Sequence, residues 1–288
     1  MRAPLDDHLR MVPVSRHDIR LAVYDIDGTV LPAGCRSVPE RALGAMRACR
    51  AAGIRVAPAT GRPVSMMQPV FSGQDDLYET ALLTNGMQVY LDGKLVREES
   101  MRPDELRSLA RALEPHEGSG AFSIVGLDVH VLCGSCKGME DTMPGYLKRE
   151  IVFEPDPVPD FPVVKLNIYC PDGPEAMWGL RDELEEAVPG LSFMMPSYDV
   201  IVTAPKGWGK AQAIDVLCER LGIGLDQVVA FGDAGNDVEM LEHVPNSVAV
   251  ANATPEAKAA ARYVIGSCED GAVAEALELL AAGVWPFG

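Results

Sequence analysis

Short apolar runs alternate with amphipathic segments at both ends of the chain, and the pattern changes between them. Near the start, Ile19–Asp25 contains Leu21-Ala22-Val23-Tyr24, apolar at successive positions, which predicts a strand buried on both faces. Pro39–Ala52 spaces Leu43, Met46 and Cys49 as one helix face and stops at Gly53, and Ile54–Ala57 reads as a second strand. Toward the other end the spacing predicts a helix over Trp208–Leu221, a strand over Gln227–Phe231 and a helix over Asn236–His243. A strand at Ser247–Val250, a helix at Pro255–Arg262, a short strand at Tyr263–Ile265 and a helix at Ala272–Ala281 follow. Strand–helix–strand units of this length predict an α/β fold with a doubly wound parallel sheet.

From Met87 to about Met195 the signals are those of hairpins. Val89-Tyr90-Leu91-Asp92-Gly93-Lys94 places Asp-Gly at a turn, and strands are predicted at Ala121–Val125, Val129–Cys133 and Val163–Tyr169. Helices are predicted at Pro103–Leu113 and Pro174–Val188, and the cluster Glu154-Pro155-Asp156-Pro157-Val158-Pro159 marks a loop. The expected organisation is a core of residues 1–86 and 196–288 with an α+β domain, residues 87–195, inserted in it.

The strongest chemical signal follows the first predicted strand. In Tyr24-Asp25-Ile26-Asp27-Gly28-Thr29-Val30 the two carboxylates are two positions apart, so they leave the strand's carboxyl end on the same side. That edge is where open α/β sheets bind ligands. Val229-Ala230-Phe231-Gly232-Asp233-Ala234-Gly235-Asn236-Asp237 repeats the design: an apolar strand, a glycine turn, then acids at the next helix start. In a parallel sheet both loops open on one edge, so Asp25, Asp27, Asp233 and Asp237 can converge. Such a crevice calls for a hard divalent cation, and few protein ligands with retained waters suit Mg²⁺.

Charge limits the partners. Lys and Arg number 25 against 42 Asp and Glu, a net charge of −17, which disfavours a nucleic-acid partner, and no local basic stripe offsets it. A bound cation can still reverse the sign locally for a small anionic substrate. Ala57-Pro58-Ala59-Thr60-Gly61-Arg62, after the second strand, offers a hydroxyl, backbone N–H groups and a guanidinium. Lys206-Gly207-Trp208-Gly209-Lys210 offers a lysine at a helix start. Taken singly, a Thr-Gly-Arg is a common turn and a glycine-flanked lysine a common solvated surface. Four such segments at successive strand ends are not.

In that order the segments resemble the four motifs of the haloacid dehalogenase (HAD) superfamily, and more narrowly its Cof-type phosphatases with a class IIB cap. Thr84-Asn85-Gly86, Val250-Ala251-Asn252-Ala253 and Glu269-Asp270-Gly271-Ala272-Val273 extend the likeness. One departure is Lys210-Ala211, where the subgroup usually has Lys-Gly; Lys206 competes for the same role, but Lys210 directly precedes the helical run. The resemblance implies a Rossmann-like core and a Mg²⁺-dependent phosphatase acting on small phosphomonoesters, with sugar phosphates the foremost class and phosphorylated cofactors another. It implies Asp25 as nucleophile and Asp27 as acid and base. Mg²⁺ would be held by Asp25, the Asp27 carbonyl and Asp233, and the phosphoryl oxygens by Thr60, Gly61, Lys210 and Asn236. Asp237 would support Lys210, and Arg62 would face the cap. Two rivals use the same motifs: a phosphomannomutase-like phosphotransferase and a non-catalytic phosphometabolite-binding protein.

The remaining signals are bland. Runs free of Asp, Glu, Lys and Arg are short, such as the 12-residue Thr80–Leu91, and the charged first twenty residues hold no signal-peptide core, so neither a membrane nor export is expected. Seven cysteines, several in apolar settings, suit a reducing cytoplasm. Cys133 and Cys136, three residues after His130, read better as two thiols than as a zinc or redox pair. His8, His17, His116 and His243 show no partner pattern and are expected at the surface. Met66-Met67 and Met194-Met195 are expected in the core or on an apolar pocket wall.

Overall fold

The computed structural model describes residues 18–134, 149–197 and 200–287. Its strands, in chain order, are β1 (Leu21–Tyr24), β2 (Arg55–Pro58), β3 (Ala81–Leu83), β4 (Gln88–Leu91), β5 (Lys94–Glu98), β6 (Gly120–Val125) and β7 (Asp128–Cys133). They continue as β8 (Ile151–Phe153), β9 (Leu166–Tyr169), β10 (Leu191–Ser197), β11 (Val200–Pro205), β12 (Val228–Gly232), β13 (Asn246–Ala249) and β14 (Tyr263–Val264).

Five strands make a parallel sheet in the order β14-β13-β12-β1-β2. The apolar run of β1 is buried at every position because both sheet faces are covered. Ala22 and Tyr24 join the cluster built on helices Glu40–Ala51 and Ala272–Ala281, while Leu21 and Val23 join that of helix Lys210–Leu221. The chain passes from β1 to β2 on one side and returns to β12 on the other. Ligands of open α/β sheets bind where the strand order reverses in this way. β1 and β12 are neighbours in register, Tyr24 opposite Phe231, so the loops after them leave the sheet side by side.

A second sheet has the order β10-β11-β9-β6-β7-β8, antiparallel except for β7 with β8. Helices Pro103–Leu113 and Pro174–Ala187 cover one face, where Leu109, Leu180 and Leu184 pack on Ala121 and Ile168. Their sequence neighbours Phe122 and Tyr169 point to the other face, as the period of two in a strand requires. The hairpin β4–β5 belongs to neither sheet: it pairs with β3, and Leu82 of β3 bridges Ala59 at the end of β2. On this pairing we propose that the inserted unit spans residues 99–205, where the sequence pattern suggested 87–195. No helix among the described residues is long and apolar enough to cross a membrane.

Candidate active site

Helix Lys210–Leu221 begins at the same sheet edge as the loops after β1 and β12, and it delivers the ammonium on which the site turns. Lys210 Nζ lies 2.6 Å from Asp25 Oδ1 and 2.5 Å from Asp237 Oδ1, all three groups buried. The other Asp237 oxygen accepts the backbone N–H groups of Asp233 and Ala234 at 3.0 and 3.1 Å. Asp237 therefore pins the Gly232 turn and the lysine together. Asp233 is oriented by Thr29, whose hydroxyl donates to Oδ1 at 2.7 Å. Gly28 adopts φ +83°, and a Cβ there would meet Asp233 Oδ2 at 2.5 Å, so both backbone handedness and space require glycine.

Asp25, Asp233 and Asp237 each offer a carboxylate oxygen, all within 4.8 Å of one another. Both oxygens of Asp237 are already engaged, which leaves Asp25 and Asp233 to meet an ion. Their electrostatics say what is missing. Burial pushes Asp25 up to about 8, against the opposing pull of Lys210, with Asp237 and Asp233 raising it further. Burial likewise raises Asp233 to about 6, partly offset by the Thr29 hydrogen bond. Lys210 is desolvated too, yet Asp237 and Asp25 outweigh that and hold it above the ordinary ammonium range. The crevice is short of positive charge. Hard oxygen donors around that deficit match a Mg²⁺-type cation.

The expected site residues do gather here. Asp25, Asp27, Thr60, Gly61, Arg62 and Asn236 line one cavity of about 670 Å³, with Lys210 and Asp237 buried beneath Asp25. Thr60 is buried and its Oγ accepts the Arg62 N–H at 3.3 Å, which leaves the hydroxyl proton free to donate. Asn236 donates to Asn85 Oδ1 at 3.3 Å.

One arrangement departs from expectation and another adds to it. Of the four carboxylates expected to converge, Asp25, Asp233 and Asp237 do, and the Asp27 side chain stands outside their cluster. Arg62 lines the cavity together with residues of the inserted unit, and it also holds Asp27 with both forks, Nε to Oδ2 at 2.8 Å and Nη2 to Oδ1 at 2.6 Å.

The inserted unit contributes residues that the sequence motifs do not reveal. Lys165, just before β9, donates to the Gly61 carbonyl at 3.2 Å and lines the same cavity. Trp178 and Arg181 reach it from one helix face, with the Arg181 guanidinium 5.2 Å from the centre of the Trp178 ring. Phe193, Met194, Met195 and Val202 complete that wall, so the second methionine pair is pocket lining. The available signal was a lone lysine in the apolar run Val163-Val164-Lys165-Leu166, and an aromatic and an arginine three apart.

Several weaker expectations change. His116 and His243 are half-buried and face carboxylates, Glu183 at 3.0 Å and Asp215 at 2.7 Å. His130 meets Glu154 at 2.6 Å. Burial raises the Cys133 thiol to about 11, the wrong direction for a thiolate ligand. Cys136, His8 and His17 lie outside the described residues.

Comparison with known proteins agrees with this geometry. The family model for haloacid dehalogenase-like hydrolases matches residues 22–277. HMP-PP phosphatase of Klebsiella pneumoniae (strain 342) is 29% identical over 269 residues, covering 90% of this chain and 94% of that protein. A phosphatase of the haloalkanoate (HAD) superfamily from Bacteroides thetaiotaomicron superposes with a TM-score of 0.79 at 20% identity, over 96% of this chain and 100% of that one. A HAD subclass IIB sugar phosphatase gives 0.74 at 22% identity, over 91% and 98%. Because the match runs from β1 through the inserted sheet to the last helix, the chain belongs to the haloacid dehalogenase-like hydrolases.

Proposed function

We propose that the protein is a Mg²⁺-dependent phosphatase that hydrolyses a small phosphorylated metabolite through an aspartyl-phosphate on Asp25. The observation that carries this reading is the buried Asp25–Lys210–Asp237 array with Asp233 beside it, at the floor of a cavity large enough for a metabolite. Relatives named HMP-PP phosphatase and a subclass IIB sugar phosphatase support the substrate type in general terms.

Asp25 Oδ attacks phosphorus as the bond to the leaving oxygen breaks, and the departing electron pair is protonated by Asp27. Water then attacks the acyl phosphate and gives its proton to Asp27, which releases inorganic phosphate and restores Asp25. Thr60, the Gly61 N–H, Lys210 and Asn236 hold the phosphoryl oxygens while charge builds on them. Asp25 and Asp233, with the Asp27 carbonyl, would hold Mg²⁺, which when bound supplies the positive charge the crevice lacks and screens nucleophile from phosphate. While Arg62 grips both oxygens of Asp27, that carboxylate is placed only to accept. An arriving phosphate dianion competes for the guanidinium and frees Asp27 for proton transfer.

The test is Asp25→Asn, which keeps the side chain's shape and leaves Lys210 paired with Asp237. Phosphate release from p-nitrophenyl phosphate in MgCl₂ should fall to background while the circular dichroism spectrum is unchanged. Turnover within tenfold of the parent would remove Asp25 from the nucleophile's role.

A further inference from the structure

We propose that Lys165 sets substrate choice: it takes a second anionic group on the substrate, beside the phosphoryl group that is transferred, while the ring that carries both packs against Trp178 and Phe193. This rests on the phosphatase reading above and narrows it to a ring-bearing substrate with two anionic groups.

The first observation is an ammonium without an anion. Lys165 Nζ has one hydrogen-bond acceptor among the described residues, the neutral Gly61 carbonyl, and no carboxylate within ion-pairing distance. Arg181, by contrast, is already held by Asp182 at 2.6 Å, and Arg62 by Asp27. A desolvated cation with an empty side toward a cavity is costly unless an anion completes it. Its contact with Gly61, next to Thr60, sets that anion close to the transferred phosphate without using the same donors.

The second observation is the character of the wall. The described side chains that the inserted unit turns into the cavity are Lys165, Arg181, Trp178, Phe193, Met194 and Met195, with Val202 behind them. None carries a hydrogen-bond acceptor for a hydroxyl. A polyol hydroxyl turned to this wall can accept from Lys165 or Arg181 but finds no side-chain acceptor there for its own proton. Trp178 and Phe193 offer ring faces and edges, and the two methionines adapt to a flat apolar body.

The experiment compares phosphate release from benzyl diphosphate, benzyl phosphate and glucose 6-phosphate by the full-length enzyme and by Lys165→Met, Lys165→Arg and Trp178→Ala. The parent should prefer the diphosphate in kcat/KM. Lys165→Met should lower that value about 10- to 100-fold, the weight of one charge-assisted hydrogen bond, with benzyl phosphate changed less than about threefold. Lys165→Arg should restore most of the loss. Trp178→Ala should raise KM for both benzyl compounds.

Equal losses on benzyl diphosphate and benzyl phosphate would make Lys165 a latch between core and inserted unit, or a ligand of the transferred group, and would overturn the proposal. So would a preference for glucose 6-phosphate. Release from all three compounds with no dependence on residue 165 overturns this inference alone; no release from any, in the parent, overturns the phosphatase reading as well.

Discussion

Replacing Lys210 by methionine removes one charge and little volume, and its consequence can be worked out from the geometry. The ammonium sits between Asp25 and Asp237 with all three side chains nearly inaccessible to water. Asp237 keeps its two backbone N–H donors after the change, but Asp25 loses its cation. Removing one partner of a buried ion pair costs about 3–5 kcal/mol. Against a total stability of about 5–15 kcal/mol, that is a large fraction. At about 2–4 °C per kcal/mol, the melting temperature should fall by about 6–20 °C.

The melt belongs in EDTA and at pH 9, because burial already pushes Asp25 up to about 8 and at lower pH it sheds the stranded charge by taking a proton. A divalent ion can also supply part of the missing charge, so the deficit should shrink in MgCl₂. Adding Asp25→Asn to Lys210→Met removes the stranded charge, so the double variant should be more stable than the sum of the single changes predicts. A coupling of about 1–3 kcal/mol is expected for groups in direct contact. If Lys210→Met melts within about a degree of the parent in EDTA, or the cycle shows no coupling, the buried array does not hold the two strand ends together and the argument fails.

Three further outcomes follow from single residues. Gly28→Ala must adopt φ +83° and push against Asp233 Oδ2, so it should cost about 1–3 kcal/mol in a thermal melt and weaken Mg²⁺ binding. Thr29→Val removes the hydroxyl that orients Asp233, and the Mg²⁺ concentration giving half-maximal activity should rise about 10- to 100-fold; an unchanged value would mean Asp233 does not meet the ion. Burial lowers the Lys165 ammonium to about 8, so it is charged below that pH and neutral above it. The ratio of kcat/KM for benzyl diphosphate to that for benzyl phosphate should therefore fall as pH rises through 8. Asp25, Asp27, Arg62, Arg181 and Glu98 line the cavities on either side of Lys165, and their effects on the phosphoryl group cancel in that ratio. A flat ratio between pH 7 and 9.5 would refute it.

The sequence was most legible where local signals agreed with tertiary demand. Pro103–Leu113 and Ala272–Ala281 form as expected because a proline at N1, or a glycine just before the first turn, coincides with an apolar stripe that the sheet buries. The carboxylates after β1 and β12 could be placed together because strand exits and parallel order fix their direction before any side-chain detail. What escaped depends on contacts distant in the chain. β10 and β11 lack clean alternation through Met194-Met195-Pro196, and only pairing across the second sheet defines them. The Arg62 grip on Asp27 and the position of Lys165 follow from how two loops and two sheets meet, for which no residue spacing is a signal. The motif likeness implies Asp237 as the support of Lys210; its second task, holding the Gly232 turn through two backbone N–H groups, emerges only from the turn's shape.

The apolar clusters beneath the parallel sheet and beneath the inserted one have no member in common. Heritable variation can therefore reach one without disturbing the other. A lineage that rebuilds the packing under Phe193 can reshape that cavity wall while the buried Asp25–Lys210–Asp237 array stays as it was, so a change of substrate need never pass through an inert ancestor.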